Sequence, residues 1–231
     1  MPASHDADRA LARLLRLASP ILPVGAFSYS QGLEPAAERG LVRDEATAQR
    51  WIGDVLAYSV GTFEAPLWSR LYRAWEAGDV KAAAGWNQVF LAGRESAEFR
   101  AETLQMGYSL RTLLIDSGEF DDVRLTLLRE VEDAAFPTAF SFACAAWQIA
   151  ERQALLGYLW AWLENQVSAA MKTVPLGQNS GQRLLAALSA RLPGLVDAAL
   201  TMEDDQLSNC APGLALASCR HETQYSRLFR S

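Results

Sequence analysis

Histidine, lysine and cysteine are all scarce in this chain of 231 residues. The two histidines, His5 and His221, lie near opposite ends, so a two-histidine zinc site would join ligands separated by nearly the whole sequence. A catalytic arrangement of the Ser-His-Asp or Cys-His kind would also have to use one of these two residues. The shortage of histidine therefore limits the chemistry of the chain more than any other feature of its composition.

The cysteines and the apolar runs are too few for a secreted or membrane-spanning design. Cys144, Cys210 and Cys219 are an odd, sparse set and no disulfide framework, which favours a reducing compartment. The N-terminus lacks the charged and then apolar pattern of a secretory signal. The longest uncharged run, Ala134–Ala150, contains Pro137 and is short for a bilayer span, so we expect a buried helix there. These observations predict a cytoplasmic protein with no membrane partner.

Positive charge is in deficit, with 21 Lys+Arg against 27 Asp+Glu and a formal net charge of −6. General nucleic-acid binders need clustered positive charge that displaces counterions from phosphates, so we expect no nucleic-acid partner. Hydrophobic residues make up 50% of the chain and charged residues 21%, which is the balance of a folded globular protein.

Strand signals are missing, whereas apolar residues repeat with a helical period. We predict one all-α domain over residues 1–231, a helical bundle of roughly eight to ten helices, with residues 1–8 disordered. Asp44 and one of the aspartates near residue 121 are expected to be N-caps. Gly157 is expected to mark a bend or a break. The helical segments are Asp44–Phe63, Trp86–Ile115, Asp121–Val131, Ser141–Met171, Gln182–Leu192 and Leu195–Leu207.

Two connecting segments, Ser19–Phe27 and Val174–Arg183, are apolar and punctuated by proline and glycine. Most helix connections in bundles are short, and loops of this composition are typical of packed, shaped segments. They are either buried turns fixed by proline or functional surfaces.

The C-terminal segment Arg220–Ser231, called the tail below, is rich in arginine and aromatic residues. That composition is typical of a binding anchor, although a tail docked on its own domain has the same pattern. The charged residues around Glu98 and Glu102 are expected to form ion-pair ladders on a solvated or interface-facing helix. A metal site near the C-terminus could be formed by Cys210, Cys219, His221 and Glu222, since thiolate and imidazole suit zinc or nickel, but their spacing matches no strong zinc pattern.

Five blocks spread from residue 17 to the end carry a family pattern in the family's order. They are LASPILPVGAFSYSQGLE (Leu17–Glu34), AETLQMGYSL (Ala101–Leu110), FPTAF (Phe136–Phe140), NQVSAAMKTVPLGQNSGQR (Asn165–Arg183) and HETQYSRLFRS (His221–Ser231). Together they resemble the urease accessory protein family UreF. Tyr108 departs from the pattern, where arginine is common, and so does Asn179, where threonine is common. The cysteines belong to none of the family's motifs.

The resemblance implies an all-α fold with no enzymatic activity and no cofactor of its own. It implies binding of UreD (also called UreH), recruitment or regulation of the GTPase UreG, and presentation of the assembly to apo-urease for nickel insertion. It also implies a homodimer within that complex. The alternative function is a metallochaperone that binds nickel through Cys219 and His221.

We predict that the segment Leu17–Glu34, called the first motif below, converges with the tail on a surface that faces UreG or UreD. The residues expected to bind partners are Tyr29, Gln31, Glu34, Arg220, His221, Tyr225, Arg227 and Arg230. Those expected to shape the scaffold or a dimer contact are Met106, Gly107, Pro175, Gly177, Gln178 and Gly181. No residue is predicted to be catalytic or to hold a resident metal.

Overall fold

A computed structural model describes the backbone of residues 2–231 and the side chains from His5 onward. The α-helices in chain order are α1 (Pro2–Leu17), α2 (Leu33–Glu38), α3 (Glu45–Val55), α4 (Ala65–Ala77), α5 (Val80–Ala92), α6 (Ala97–Asp116), α7 (Asp122–Glu130), α8 (Phe136–Ala146), α9 (Glu151–Thr173), α10 (Gln178–Ser189), α11 (Leu192–Thr201) and α12 (Pro212–His221). A π-helical segment, Leu56–Glu64, joins α3 to α4. Residues 2–231 contain no strand, so the all-α prediction is confirmed.

Helix α9 forms the centre of the bundle. It packs against α1, α2, α3, α4, α8, α10 and α11. Leu155, Leu159 and Leu163 are fully buried, and Tyr158 and Trp162 are buried as well. A helix that is apolar on nearly every side belongs in the middle of a bundle, as the sequence predicts for this segment.

The predicted helix Ser141–Met171 is two helices, and the break is not at Gly157. Helix α8 ends before Gln148, which has a left-handed φ of 57° and terminates the helix. Gly157 lies inside α9 instead, where a Cβ would come within 2.6 Å of the Leu14 Cδ1 atom. The glycine thus permits close packing of α1 on α9, and the prediction of a break there is wrong.

The predicted helix Trp86–Ile115 is also divided, into α5 and α6. Ser96 is the N-cap of α6, and its hydroxyl accepts a hydrogen bond from the Phe99 amide. The apolar pattern continues across Ser96, so the sequence did not predict a helix start there. Other capping predictions are confirmed, because Asp44 and Asp121 accept hydrogen bonds from the first turns of α3 and α7.

The N-terminal residues 2–8, where the sequence predicts disorder, belong to the first turns of α1, whereas Met1 lies outside the described residues. Leu14 and Leu17 bury the other end of this helix. Within residues 2–231, one helical stretch, Gln178–Thr201, is long and apolar enough to cross a membrane. This is weak evidence of a span, because the core helix of a soluble protein can pass the same test.

Candidate functional site

The first motif is an irregular loop followed by α2. Gly25, Gln31 and Gly32 all adopt positive φ, with 78°, 52° and 81°. A Cβ on Gly32 would lie 2.9 Å from the Leu214 Cδ1 atom, so glycine here serves both the backbone turn and the close approach of α12. These constraints bring α2 against α9 and α12.

The tail folds back onto the first motif through backbone hydrogen bonds. The Arg230 amide donates to the Ser28 carbonyl at 2.8 Å. The Ser231 carbonyl accepts from the Ser30 amide at 2.6 Å and from the Ser30 hydroxyl at 2.7 Å. Phe229 is buried beneath Lys172, whose Nζ atom lies 5.4 Å from the ring centre. The alternative in which the tail docks on its own domain is therefore the observed arrangement.

Glu34 joins the tail to the core through three contacts. Its Oε1 accepts from the Leu228 amide at 2.6 Å, and its Oε2 accepts from the Phe229 amide at 2.9 Å. The same Oε2 lies 3.2 Å from the Nε2 atom of His221. Glu34 is buried, so the carboxylate replaces the water that these amides would otherwise bind.

His221 lies between two carboxylates and has no exposed surface. Its second ring nitrogen, Nδ1, is 2.7 Å from the Glu98 Oε2 atom. The other oxygen of Glu98 accepts from Arg227 Nη1 at 2.8 Å. Arg227 also donates to the carbonyls of Gln224 and Glu222, which closes the tail into a compact turn.

Glu102 lies one turn beyond Glu98 on α6 and contacts both the first motif and the tail. Its carboxylate accepts from the Gln31 amide group at 2.5 Å and from the Ser231 hydroxyl at 2.7 Å. Burial raises the pKa of Glu102 to about 7. The two hydrogen bonds lower this pKa, but burial has the larger effect. The carbonyl oxygen of Gln31 in turn accepts from the Trp162 indole at 2.7 Å.

A cavity of about 230 Å³ lies between the first motif, the π-helical segment, α6 and α9. Glu64 and Arg94 line it and form an ion pair at 3.2 Å, both largely shielded from water. The Tyr158 hydroxyl donates to Glu64, and burial raises the pKa of this tyrosine well above its usual range. The site therefore combines an apolar wall with a small number of buried charges.

Comparisons with known proteins match the chain to the UreF family. The UreF family model covers residues 42–189. A urease accessory protein UreF of Methylobacillus flagellatus is 55% identical over 97% of this chain and 99% of its own length. The UreF of Azoarcus sp. (strain BH72) is 59% identical over 96% of this chain and 95% of its own length. That of Dechloromonas aromatica is 55% identical over 96% of this chain and 97% of its own length.

The chain belongs to the UreF family. The resemblance noted in the sequence is thereby confirmed over nearly the full length, and the family is one of urease accessory proteins.

Within this UreF chain, the residues predicted to bind partners fall into two groups. Tyr29, Glu34 and His221 are buried, and burial also raises the pKa of Tyr29. Gln31 is half-buried, whereas the remaining four are exposed: Arg220, Tyr225, Arg227 and Arg230. The structure brings both groups together around the docked tail, and the exposed group has side-chain surface available to another protein.

The predicted scaffold or dimer residues also divide by exposure. Met106 is buried, and a Cβ on Gly107 would lie 2.0 Å from the Ala134 carbonyl oxygen. A Cβ on Gly181 would lie 2.3 Å from the sulfur of Met171. These three residues pack inside the chain. The other three are exposed around the start of α10: Pro175, Gly177 and Gln178.

The geometry does not favour the alternative nickel site at Cys219 and His221. Both ring nitrogens of His221 already face carboxylates, and the Cys219 sulfur is exposed and lies 4.0 Å from the Glu95 carbonyl. Among the residues with described side chains, no three His, Cys, Asp or Glu residues cluster as a metal site. A ring nitrogen that donates to a carboxylate has no lone pair for a metal ion.

Four residues of the site were not among the predicted partner-binding residues. Glu98 and Glu102 were assigned to an ion-pair ladder, but their spacing of four places both carboxylates on the face of α6 that meets the tail. Phe229 and Ser231 are buried although they end the chain. The sequence signal for this burial is an aromatic residue close to a terminus, where small polar residues are usual.

Proposed function

We propose that this chain is a non-catalytic adaptor in urease maturation. It binds UreD (UreH), recruits or regulates the GTPase UreG, and presents the assembly to apo-urease so that nickel, the cargo, is inserted. It acts in the cytoplasm and as a homodimer within that complex. Membership of a family of urease accessory proteins supports this proposal.

The docked tail is the observation that carries the proposal. Tyr225 is completely exposed, and Leu228 is 64% exposed although its own backbone amide is bound to Glu34. Arg220 and Arg230 are exposed on the same segment. Aromatic and arginine side chains are enriched in interface hot spots, and a backbone that is already fixed lowers the entropy that binding costs.

Co-purification tests the proposal. The tagged chain is expressed with UreD and UreG from the same source, in the presence of GTP and magnesium, and compared with a truncation after Cys219. We expect the full chain to retain both partners and the truncation to lose one of them. Retention of neither partner by the full chain would contradict the adaptor function.

A further inference from the structure

The contacts of His221 determine its protonation state. A neutral imidazole has one N–H and one lone pair, yet both ring nitrogens lie within hydrogen-bond distance of carboxylate oxygens, at 2.7 Å from Glu98 and 3.2 Å from Glu34. In a neutral ring, the nitrogen without a proton would point its lone pair at a carboxylate oxygen, which is repulsive. A further proton must therefore lie on one of the two contacts. The proton belongs either to the ring or to one of the two glutamates.

Glu34, Glu98, His221 and Arg227 form one cluster, called the node below, in which both glutamates accept further donors. Glu34 accepts the amides of Leu228 and Phe229, one on each oxygen. Glu98 accepts Arg227 on the oxygen that does not face the histidine. Since every one of these neighbours donates, a proton on either carboxyl group could face only the ring. Carboxylic acids are ordinarily stronger acids than imidazolium, so we assign a proton that lies on such a contact to the ring.

The charges balance when His221 is an imidazolium ion. Glu34 from α2 and Glu98 from α6 supply two negative charges, and Arg227 and the ring supply two positive ones. Two other acidic residues of the region have partners outside the node: Glu102 accepts from Gln31 and Ser231, and Glu222 accepts from the Ala97 amide at 3.1 Å. Burying an unpaired charge is costly, so a balance of charges is the arrangement expected around a histidine with no exposed surface.

We propose that Glu34 and His221 are positioning residues, which hold the tail in one docked shape through a doubly protonated imidazole. Glu34 and His221 are too buried to touch a partner in this state. They instead fix the backbone that carries Tyr225 and Leu228. The docked shape presents apolar and arginine side chains to a protein with an apolar pocket bordered by acidic groups, and this last step rests on the proposed function.

The imidazolium can be observed directly, because the chain has only two histidines. In the full chain labelled with ¹⁵N-histidine, we expect both ring nitrogens of His221 to carry protons at neutral pH. His5, which is exposed, is the internal reference. The spectrum of His221→Asn assigns the signals. A nitrogen of His221 with the chemical shift of a free lone pair would overturn the proposal.

Hydrogen exchange tests the positioning role. Glu34→Gln keeps the shape of the side chain but sets an amide group against the tail amides. We expect the amides of Leu228 and Phe229 to exchange about ten- to a hundredfold faster, as for the loss of hydrogen bonds to a charged acceptor. Glu38→Gln, at an exposed position of α2, is the matched control and should leave exchange unchanged.

A second variant covers the case in which Glu34→Gln fails to fold. Glu98→Gln alters the same node from α6 and is expected to speed exchange in the tail while the amides of α9 stay protected. Unchanged tail exchange in a folded Glu34→Gln or Glu98→Gln chain would overturn the proposal.

These measurements use the chain without partners. If they succeed while the native chain binds neither UreD nor UreG, the proposed function fails and the positioning role stands.

Discussion

Glu102 makes the stability of the folded chain depend on pH. Its pKa is about 7 in the folded state against 4.5 when it is solvated. Between these two values the folded state keeps a proton that the unfolded state has released. The retained proton adds about 3 kcal/mol to the free energy of unfolding. This stabilisation is fully present below about pH 4.5 and is lost as the pH rises through about 7.

We therefore expect Glu102→Gln to flatten the pH profile of stability. Its amide group can donate to the Ser231 hydroxyl, which is able to accept as well as donate. Urea unfolding at pH 5 and pH 8 measures the difference: the native chain should lose about 2.5 kcal/mol more than the variant between these two conditions. Parallel pH profiles of the two proteins would contradict the raised pKa.

Variants of Arg227 and Arg220 can separate two roles of the tail arginines, which are holding the tail in shape and contacting a partner. Arg227 is bound to Glu98 and to two carbonyls of the tail, whereas Arg220 is exposed at the end of α12. We expect both Arg227→Ala and Arg220→Ala to weaken retention of UreG in co-purification. Only Arg227→Ala should also speed amide exchange in the tail. Equal exchange in the two variants would contradict the shaping role of Arg227.

Gly107 sets the distance between α6 and the start of α8. A Cβ there would meet three backbone atoms of residues 134–136, the nearest at 2.0 Å, and backbone cannot move aside as a flexible side chain can. Gly107→Ala should therefore destabilise the chain by about 3 kcal/mol.

Gly85, in α5, is the matched control, since a Cβ at that position would meet nothing within 4 Å. Gly85→Ala should stabilise the chain by about 0.5–1 kcal/mol, because alanine favours helix more than glycine does. Urea unfolding of both variants gives the comparison. A Gly107→Ala chain as stable as Gly85→Ala would show that the helices separate without cost.

The helices themselves were predictable where local chemistry determines them. Asp44 and Asp121 cap their helices as expected, since a carboxylate next to an apolar periodic run is a local signal. The breaks at Ser96 and Gln148 were not predicted, because apolar residues continue on both sides and the helical period does not register a change of direction. The π-helical segment Leu56–Glu64 was missed for the same reason.

At the scale of the whole molecule, the sequence predicted which segments form the site but not how they are used. Resemblance identified the first motif and the tail, and the structure joins them. The burial of Glu34 and His221 could not be predicted from the sequence. Both are polar residues, and they are buried only because they pair with each other and His221 pairs with Glu98. Such pairing depends on residues about 190 positions apart, beyond the reach of any local pattern.

The docked tail should display the surface that binds UreD or UreG. The most direct measurement is co-purification of UreD and UreG with a chain carrying Tyr225→Ala and Leu228→Ala, two exposed side chains whose loss leaves the core intact. Val123→Ala, at another exposed apolar position on α7, is the control. We expect the double variant to lose UreD or UreG while the control keeps both. Retention of both partners by the double variant, at the level of the native chain, would contradict it.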